Sequence, residues 1–265
     1  MNQINLIFAF CLTLFGMLFS CSQADNDGAT PSKKNDPPDS TGVFEISLAT
    51  KEGLRSVDLS PGFRTGQIVT DDGSNWDFAL HVSEKLVENP PLIVALHGGG
   101  DNPSYFVQCL PIPALQDMGG IIFAPKGGEW WQPSLAKRIT EFVKLAKTEW
   151  PIDSTKIAVT GYSNGGTGSY YFAINHPETF SAAIPMSGLL DKAACFSMPT
   201  YIIHGELDEF YSSTTLKNKI DPLINSGCNV KMDVVGGLGH GATCHTNMIL
   251  TLRSAGVWLK ETWGE

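Results

Sequence analysis

One short segment combines a serine with the small residues that a sharp turn requires. Residues 161–165 read Gly-Tyr-Ser-Asn-Gly and follow an apolar run that ends at Thr160. A tight turn from a buried strand into a helix lifts a serine hydroxyl above the sheet, provided that its neighbours are small. Ser163 is therefore the predicted nucleophile. The N–H of Asn164, at the start of the next helix, is a predicted oxyanion donor. The alternative is a glycine-rich turn with a solvated serine.

A second glycine-rich segment lies earlier in the chain and predicts the other half of an oxyanion hole. Residues 97–100 read His-Gly-Gly-Gly and come directly after the apolar run 92–96. Glycines allow the backbone to approach a ligand and to aim an N–H group at it. We expect the Gly99 N–H to be this donor, with Gly100 as the next candidate. His97 precedes the nucleophile, and we expect it to be structural.

A serine hydroxyl needs an imidazole to accept its proton and a carboxylate to orient that imidazole. Asp208 follows the apolar run 200–203, and His240 lies in a glycine-rich segment after the last predicted strand. The carboxyl ends of parallel strands meet at one edge of a sheet, so these side chains are expected to converge on Ser163. The predicted triad is therefore Ser163, Asp208 and His240. The alternatives are Asp191, Glu206 or Glu209 for the acid and His245 for the base.

Aromatic residues near these segments are candidates for substrate contact. Trp130 and Trp131 follow the apolar run 121–124, and Tyr162 precedes the nucleophile. Aromatic side chains at this edge can line an acyl or alcohol pocket or stack on a sugar ring. We therefore predict substrate contacts for all three. The alternative is that at least one tryptophan packs into the core.

Apolar runs and helical periodicity supply the elements that position these residues. Gly66–Thr70 and Trp76–Val82 are predicted to form an antiparallel hairpin. Buried strands are predicted at 92–96, 121–124, 157–160, 182–186, 200–203 and 230–235, and helices at 135–150, 164–175, 212–225 and 247–262. Strands that alternate with helices indicate an α/β fold with a mostly parallel, doubly wound sheet of about eight strands. The short connection after residue 186 leaves no room for a large cap.

Composition excludes several classes of protein. The net charge of −9 argues against a nucleic-acid partner, since phosphate binding needs clustered Lys and Arg. The predicted chemistry uses only side chains and backbone groups, so we expect no metal and no organic cofactor. Up to two disulfides are possible, with the pairing open, or else four buried thiols. The cysteines concerned are Cys109, Cys195, Cys228 and Cys244.

The N-terminus is predicted to be an export signal. Residues 6–19 form a continuous apolar run, and Leu-Phe-Ser precedes Cys21. This pattern resembles a bacterial lipoprotein signal, in which cleavage before the cysteine leaves a thiol that receives lipid. We predict a signal peptide at 1–20, a flexible tether at 21–42, whose polar composition cannot form a core, and a catalytic domain at 43–265. Ordinary secretion and a retained anchor are the alternatives to a lipid tether at Cys21.

The segments 97–100, 161–166, 204–208 and 239–240 together resemble the α/β-hydrolase superfamily, over roughly residues 43–263. The resemblance is to lidless serine esterases of the phospholipase/carboxylesterase, dienelactone hydrolase and feruloyl or polyhydroxybutyrate esterase groups. Dienelactone hydrolases carry a cysteine as nucleophile, so Ser163 points away from that group. The resemblance implies hydrolysis of short-chain, acetyl or feruloyl esters, free or linked to polysaccharide. The alternatives are a prolyl-oligopeptidase-like peptidase and a non-catalytic binding protein.

Overall fold

The computed structural model describes residues 46–265, where eight strands alternate with helices. The strands are β1 (Gly62–Val69), β2 (Asn75–Val82), β3 (Leu92–Leu96), β4 (Ile121–Pro125), β5 (Ile157–Tyr162), β6 (Ala182–Met186), β7 (Thr200–Gly205) and β8 (Val230–Val235). The helices are α1 (Lys51–Arg55), α2 (Pro103–Cys109), α3 (Pro111–Leu115), α4 (Pro133–Glu149), α5 (Asn164–Asn175), α6 (Ser213–Asn225) and α7 (Thr246–Thr262). The predicted leader, the tether and Cys21 lie outside the described residues.

The strands form one sheet in the order β1-β2-β4-β3-β5-β6-β7-β8. β2 pairs antiparallel with both β1 and β4, and all the other neighbours are parallel. The predicted α/β class, the hairpin and the mostly parallel sheet are therefore confirmed. This order places β5 near the centre of the sheet. The carboxyl ends of β3, β7 and β8 lie at the same edge of the sheet as that of β5.

Two apolar layers cover the two faces of the sheet. On β3, Leu92, Val94 and Leu96 belong to one buried cluster, whereas Ile93 and Ala95 belong to the other. Side chains of α1, α4, α5 and α6 complete the first cluster, and those of α2, α3 and α7 complete the second. Because successive strand residues face opposite sides, a strand covered on both faces must be apolar throughout. This explains the uninterrupted apolar runs in the sequence.

The four predicted helices correspond to α4 to α7. The start of α4 lies two residues before the predicted one because Pro133 occupies the first turn, where no N–H is needed. The sequence prediction missed the shorter helices α1, α2 and α3. Each has only five to seven residues, which is too few to show a 3.6-residue period.

The connection between β6 and β7 is short and irregular. Residues 187–199, between β6 and β7, contain no helix or strand, so no cap covers the edge of the sheet there.

Two disulfides link distant parts of the domain. They join Cys109 to Cys244, with Cα atoms 5.1 Å apart, and Cys195 to Cys228, with Cα atoms 5.5 Å apart. The structure thus selects one of the three pairings that the sequence left open.

Candidate active site

Ser163 occupies a strained turn between β5 and α5. Its φ of 55° and ψ of −115° lie outside the regions that a serine normally adopts. A side chain on Gly165 would collide with the carbonyl oxygen of Leu96, and one on Gly161 would collide with the backbone of Gly165. Backbone strain of this kind costs about 1–3 kcal/mol and persists only where the surrounding structure fixes it. The glycines of the motif are therefore required by packing as well as by the turn.

Ser163, His240 and Asp208 form a continuous chain of hydrogen bonds. The Ser163 Oγ lies 2.8 Å from His240 Nε2, and His240 Nδ1 lies 2.9 Å from Asp208 Oδ2. A carboxylate only accepts hydrogen bonds, so Nδ1 carries the proton and Nε2 is left free to accept one from the serine. The Asp208 side chain is fully buried, while 13% of the His240 side chain is exposed. The structure thus brings together the three residues predicted as the triad.

The second oxygen of Asp208 is held by backbone groups. Asp208 Oδ1 accepts hydrogen bonds from the N–H groups of Phe210, at 3.0 Å, and Tyr211, at 2.9 Å. His204, on β7, lies 3.5 Å from the other oxygen, and its Nε2 contacts the Tyr211 carbonyl oxygen at 2.6 Å. These contacts fix the carboxylate in one orientation, which in turn fixes the imidazole of His240.

The segment 97–100 lies beside the nucleophile. A Cβ on Gly98 would lie 3.6 Å from the Cβ of Ser163, and one on Gly99 would lie 3.1 Å from the side-chain nitrogen of Asn164. The two predicted donor residues, Gly99 and Asn164, are therefore neighbours across the turn. Their N–H groups as oxyanion donors remain a prediction.

The side chain of His97 holds the segment 97–100 through hydrogen bonds to the backbone. Its Nδ1 contacts the Gly98 carbonyl oxygen at 2.9 Å, and its Nε2 accepts a hydrogen bond from the Gly127 N–H at 3.2 Å. Burial lowers the pKa of His97, which keeps the imidazole neutral at neutral pH. These contacts agree with the structural role expected for it.

The prediction that Trp130 contacts substrate is wrong. Trp130 is completely buried, and its indole N–H donates to the carbonyl oxygen of His97 at 3.0 Å. Its ring meets His97 edge-on, with centroids 5.2 Å apart, and fills the space that a side chain on Gly168 would need. Its neighbour Trp131 is half-buried and lines a cavity next to the site.

Tyr162 borders the site but is only 3% exposed. Its hydroxyl donates to the carbonyl oxygen of His240 at 2.8 Å. Tyr162 therefore fixes the position of residues 236–244, called the histidine segment below, through the carbonyl oxygen of His240. Its contact with substrate stays a prediction.

Glu206 and Glu209, two candidates for the acid, bind backbone groups of the histidine segment instead. Glu209 Oε2 accepts a hydrogen bond from the backbone N–H of His240 at 2.8 Å, and Glu206 Oε2 accepts one from Gly237 at the same distance. This hydrogen bond from His240 lowers the pKa of Glu209. The histidine segment is thus attached at two points, a feature that the sequence prediction missed because it depends on a contact between residues 31 positions apart.

Asp191 and His245 lie outside the hydrogen-bonded chain that joins Ser163, His240 and Asp208. Asp191 is exposed, and its carbonyl oxygen accepts from Lys219. His245 is exposed and caps α7, where its Nδ1 accepts from the N–H of Asn247 at 3.1 Å. The structure therefore favours Asp208 as the acid and His240 as the base.

A cavity of about 380 Å³ opens above Ser163. Phe210 and Tyr211 form one side of it, with ring centroids 4.8 Å and 5.4 Å from that of His240. The lining residues are Gly98, Gly99, Asp101, Tyr162, Ser163, Phe210, Tyr211, His240 and Thr243. The sequence prediction missed Asp101, Phe210, Tyr211 and Thr243, although each lies within four residues of a predicted site residue.

Metal-binding clusters and membrane-spanning helices are both absent from residues 46–265. No cluster of three or more His, Cys, Asp or Glu side chains in this part of the chain is arranged to hold a metal ion. Within the same range, no helix is both long and apolar enough to cross a membrane.

Comparison with known proteins gives relatives in sequence and in fold. The model of the dienelactone hydrolase family matches residues 127–256. Acetylxylan esterase A of Aspergillus awamori is 28% identical over 184 residues, which cover 62% of this chain and 60% of that enzyme. The chain therefore aligns with less than two thirds of that relative's length. This match includes Ser163, so the chain is similar to the dienelactone hydrolase family although it carries a serine where a cysteine was expected for that family.

Solved structures share the fold. The fluorophosphonate-binding serine hydrolase F of Staphylococcus aureus superposes with a TM-score of 0.61 at 14% identity and covers 76% of this chain and 99% of its own. A truncated carbohydrate esterase from gut microbiota also gives 0.61, at 15% identity, and covers 78% and 98%. The fold is that of the α/β-hydrolases.

Proposed function

Because the chain has the α/β-hydrolase fold and is similar to the dienelactone hydrolase family over residues 127–256, we propose that it is a serine esterase that hydrolyses carboxylic esters through an acyl-enzyme. The observation that carries this proposal is the chain of hydrogen bonds from Ser163 Oγ through His240 to Asp208. An imidazole oriented in this way accepts the proton of the serine hydroxyl at the moment of attack. A serine that contacts only water has no such base beside it and is a poor nucleophile.

In the proposed reaction, Ser163 Oγ attacks the ester carbonyl carbon while His240 Nε2 takes the hydroxyl proton. The carbonyl oxygen becomes an oxyanion that accepts hydrogen bonds from the N–H groups of Gly99 and Asn164. His240 then gives its proton to the departing alcohol, which leaves an acyl group on Ser163. A water molecule, deprotonated by His240, attacks that acyl group and releases the acid. Loss of one oxyanion donor typically costs about 10²–10³ in rate.

We infer that the substrates include acetyl esters on carbohydrate. The relatives that suggest this are named for acetylxylan. The site cavity is open and lies at a sheet edge without a cap at residues 187–199, which suits an ester presented on a polymer.

The test is a panel of acetylated xylan, 4-nitrophenyl acetate and an aminoacyl 4-nitroanilide. We expect turnover of the two esters, little of the anilide, and a loss of roughly 10³-fold or more in Ser163→Ala. The matched control is Ser254→Ala, since Ser254 is an exposed residue of α7. Ester turnover that persists in Ser163→Ala contradicts the proposal, and preferred cleavage of the anilide favours a peptidase.

We also propose that the enzyme is exported and tethered to a membrane by lipid on Cys21. This rests on the apolar run 6–19, the cysteine that follows it and the polar segment after it. In this proposal residues 1–20 are removed, residues 21–42 form the tether and residues 43–265 form the catalytic domain.

A further inference from the structure

The last strand of the sheet, β8, has a free edge. Within residues 46–265 it lies at one end of the strand order and pairs only with β7. The carbonyl oxygen of Val235 accepts a hydrogen bond from the N–H of Glu206 at 3.0 Å, so the backbone groups of Val235 face β7. Because alternate residues of a strand direct their backbone groups to opposite sides, those of Met232 and Val234 point away from β7. Such an edge is a template for pairing with another strand.

An open cavity of about 430 Å³ lies beside this edge. Met232 and Val234 line it from β8, Gly236 from the residue that follows, and Asn247 and Leu250 from α7. Val234 is 40% exposed and Leu250 is 49% exposed. Removing such apolar surface from water is favourable. A strand that lies along β8 would therefore gain from covering these side chains as well as from backbone hydrogen bonds.

Two opposite charges lie on one face of β8. The ammonium group of Lys231 is 4.3 Å from the centre of the Tyr201 ring, and the Tyr201 hydroxyl donates a hydrogen bond to the Asp233 carboxylate. These contacts hold both charges on the same face of the strand. Charged residues on an edge strand normally oppose pairing, since most registers leave them without a partner or opposite a like charge.

One antiparallel register of β8 with a second copy of β8 satisfies both charges. With Met232 on the two-fold axis, Lys231 lies opposite Asp233 of the second copy, and Val230 lies opposite Val234 on the other face. Lys231 and Asp233 then take the closely spaced positions without hydrogen bonds, where side chains interact most strongly. A shift of two residues places Lys231 opposite Lys231 or Asp233 opposite Asp233, and a shift of one brings opposite faces together.

We propose that β8 is a dimer interface, through which two copies of this chain pair antiparallel about Met232 and join their sheets into one. A second copy is the partner because the strand is complementary to itself, in its charged face and in its apolar face. This inference goes beyond the proposed esterase function and does not depend on it.

The test reverses one charge at a time and then mixes the variants. Lys231→Asp leaves only negative charges on this face of β8, and Asp233→Lys leaves only positive ones, so each variant faces like charges when it pairs with itself. In an equal mixture of the two, every lysine again faces an aspartate. Lys85→Asp is the control, because it makes the same change of charge at an exposed residue that follows β2.

Association of the full-length proteins is measured by sedimentation over a series of concentrations, and co-purification of differently tagged copies reports on the mixture. All variants carry the same N-terminal residues, so any association through those residues is common to all of them. We expect a dimeric wild type and a Kd at least about tenfold weaker in each single variant. The mixture should return to within about threefold of the wild type, and Lys85→Asp should change Kd by less than about twofold.

Three results would overturn the inference. The first is a wild type that stays monomeric over the whole series, whether alone or with a different protein bound. The second is a dimer that neither single variant weakens. The third is a mixture that associates no better than the single variants, which would show that the substitutions disturb β8 itself, for example through Tyr201, and not a pairing of charges between two copies.

Discussion

At the residue scale, His240 is held on three sides. Asp208 binds its Nδ1, Tyr162 donates to its carbonyl oxygen, and Glu209 accepts its backbone N–H. A small displacement of the imidazole lengthens the contact with Ser163 Oγ, and reaction rates fall steeply with such misplacement. Tyr162 and Glu209 are therefore positioning residues in this account.

We expect Glu209→Ala to lower kcat by roughly tenfold with KM little changed, because it frees the histidine segment without altering the substrate cavity. Glu209→Gln should retain most of the activity, since an amide oxygen can accept the same hydrogen bond. Steady-state kinetics on 4-nitrophenyl acetate provide the measurement.

Glu206→Ala is the matched control for this prediction. Glu206 is also exposed and also accepts a backbone N–H from the same segment, but from Gly237 and not from the histidine. Its kcat should change by less than about threefold. Equal losses in Glu206→Ala and Glu209→Ala would show that the segment responds as a whole, against a specific role for Glu209.

His81, on β2, affects stability and takes no part in the proposed chemistry. It is 7% exposed, and neither ring nitrogen has a hydrogen-bond partner within the described part of the chain. Burial lowers the pKa of His81 below its ordinary value of 6.5. Below pH 6.5 the unfolded chain therefore binds a proton that the folded chain does not, and the free energy of unfolding falls as the pH falls.

We expect His81→Leu to raise the free energy of unfolding by about 1 kcal/mol at pH 8, where an unsatisfied polar group is replaced by an apolar one. The gain should be larger at pH 5.5, because there the wild type is destabilised further by the proton that His81 binds only in the unfolded chain. Urea unfolding of both proteins at the two pH values measures it. A gain that does not change with pH, or a loss at both values, contradicts this account.

Trp130 and Trp131 show where residue-level prediction ends. The two side chains are identical and adjacent, yet one is buried under His97 and the other lines a cavity. Which of them turns inward is decided by the His97 carbonyl oxygen and by the space above Gly168, and neither is visible in the local sequence. By contrast, Ser163, Asp208 and His240 could be predicted because each follows a recognisable strand.

At the scale of elements, the disulfide between Cys109 and Cys244 joins two parts of the site. Cys109 is the last residue of α2, the helix that follows the segment 97–100. Cys244 lies between His240 and the start of α7. The cross-link therefore ties the predicted oxyanion segment, through α2, to the histidine segment. The other disulfide, between Cys195 and Cys228, joins the β6–β7 connection to the turn between α6 and β8.

We expect the double variant Cys109→Ser/Cys244→Ser to lose kcat as well as about 2–4 kcal/mol of stability. Cys195→Ser/Cys228→Ser is the matched control and should lose stability with kcat nearly unchanged below its unfolding temperature. Thermal unfolding and steady-state kinetics at a temperature where both variants are folded separate the two effects. Equal kcat in the two double variants would argue against coupling through the first disulfide.

The elements themselves were predictable to different degrees. The buried strands β3 and β6 begin and end at the predicted residues because their apolar runs are bounded by polar or turn-forming residues. The last strand, β8, also has the predicted bounds, but only Val235 in it is buried, so the prediction that it is a buried strand is wrong. β1 begins earlier, at Gly62, because its alternating exposure leaves polar residues inside the strand. The disulfide pairing could not be predicted, since it depends on the packing of α2 against the histidine segment.

At the scale of the whole molecule, the proposed lipid at Cys21 would fix where the enzyme acts. We expect the full-length protein, expressed in a bacterial host, to fractionate with membranes, because several acyl chains anchor far more strongly than one. Cys21→Ser should release it to the soluble fraction. Intact-mass analysis of the membrane-extracted protein should show a chain that begins at Cys21 and carries acyl groups. A soluble, unmodified protein that begins at another residue contradicts the lipid tether.

The claim that unites these scales is that Ser163 is a nucleophile activated by His240 and Asp208. The most direct measurement treats the protein with an organophosphonate that bonds covalently to activated serines and maps the modified peptide by mass spectrometry. We expect one equivalent of label on Ser163, much slower labelling in His240→Ala, and none at that peptide in Ser163→Ala. Label on a different residue, or an unchanged labelling rate in His240→Ala, would contradict the account.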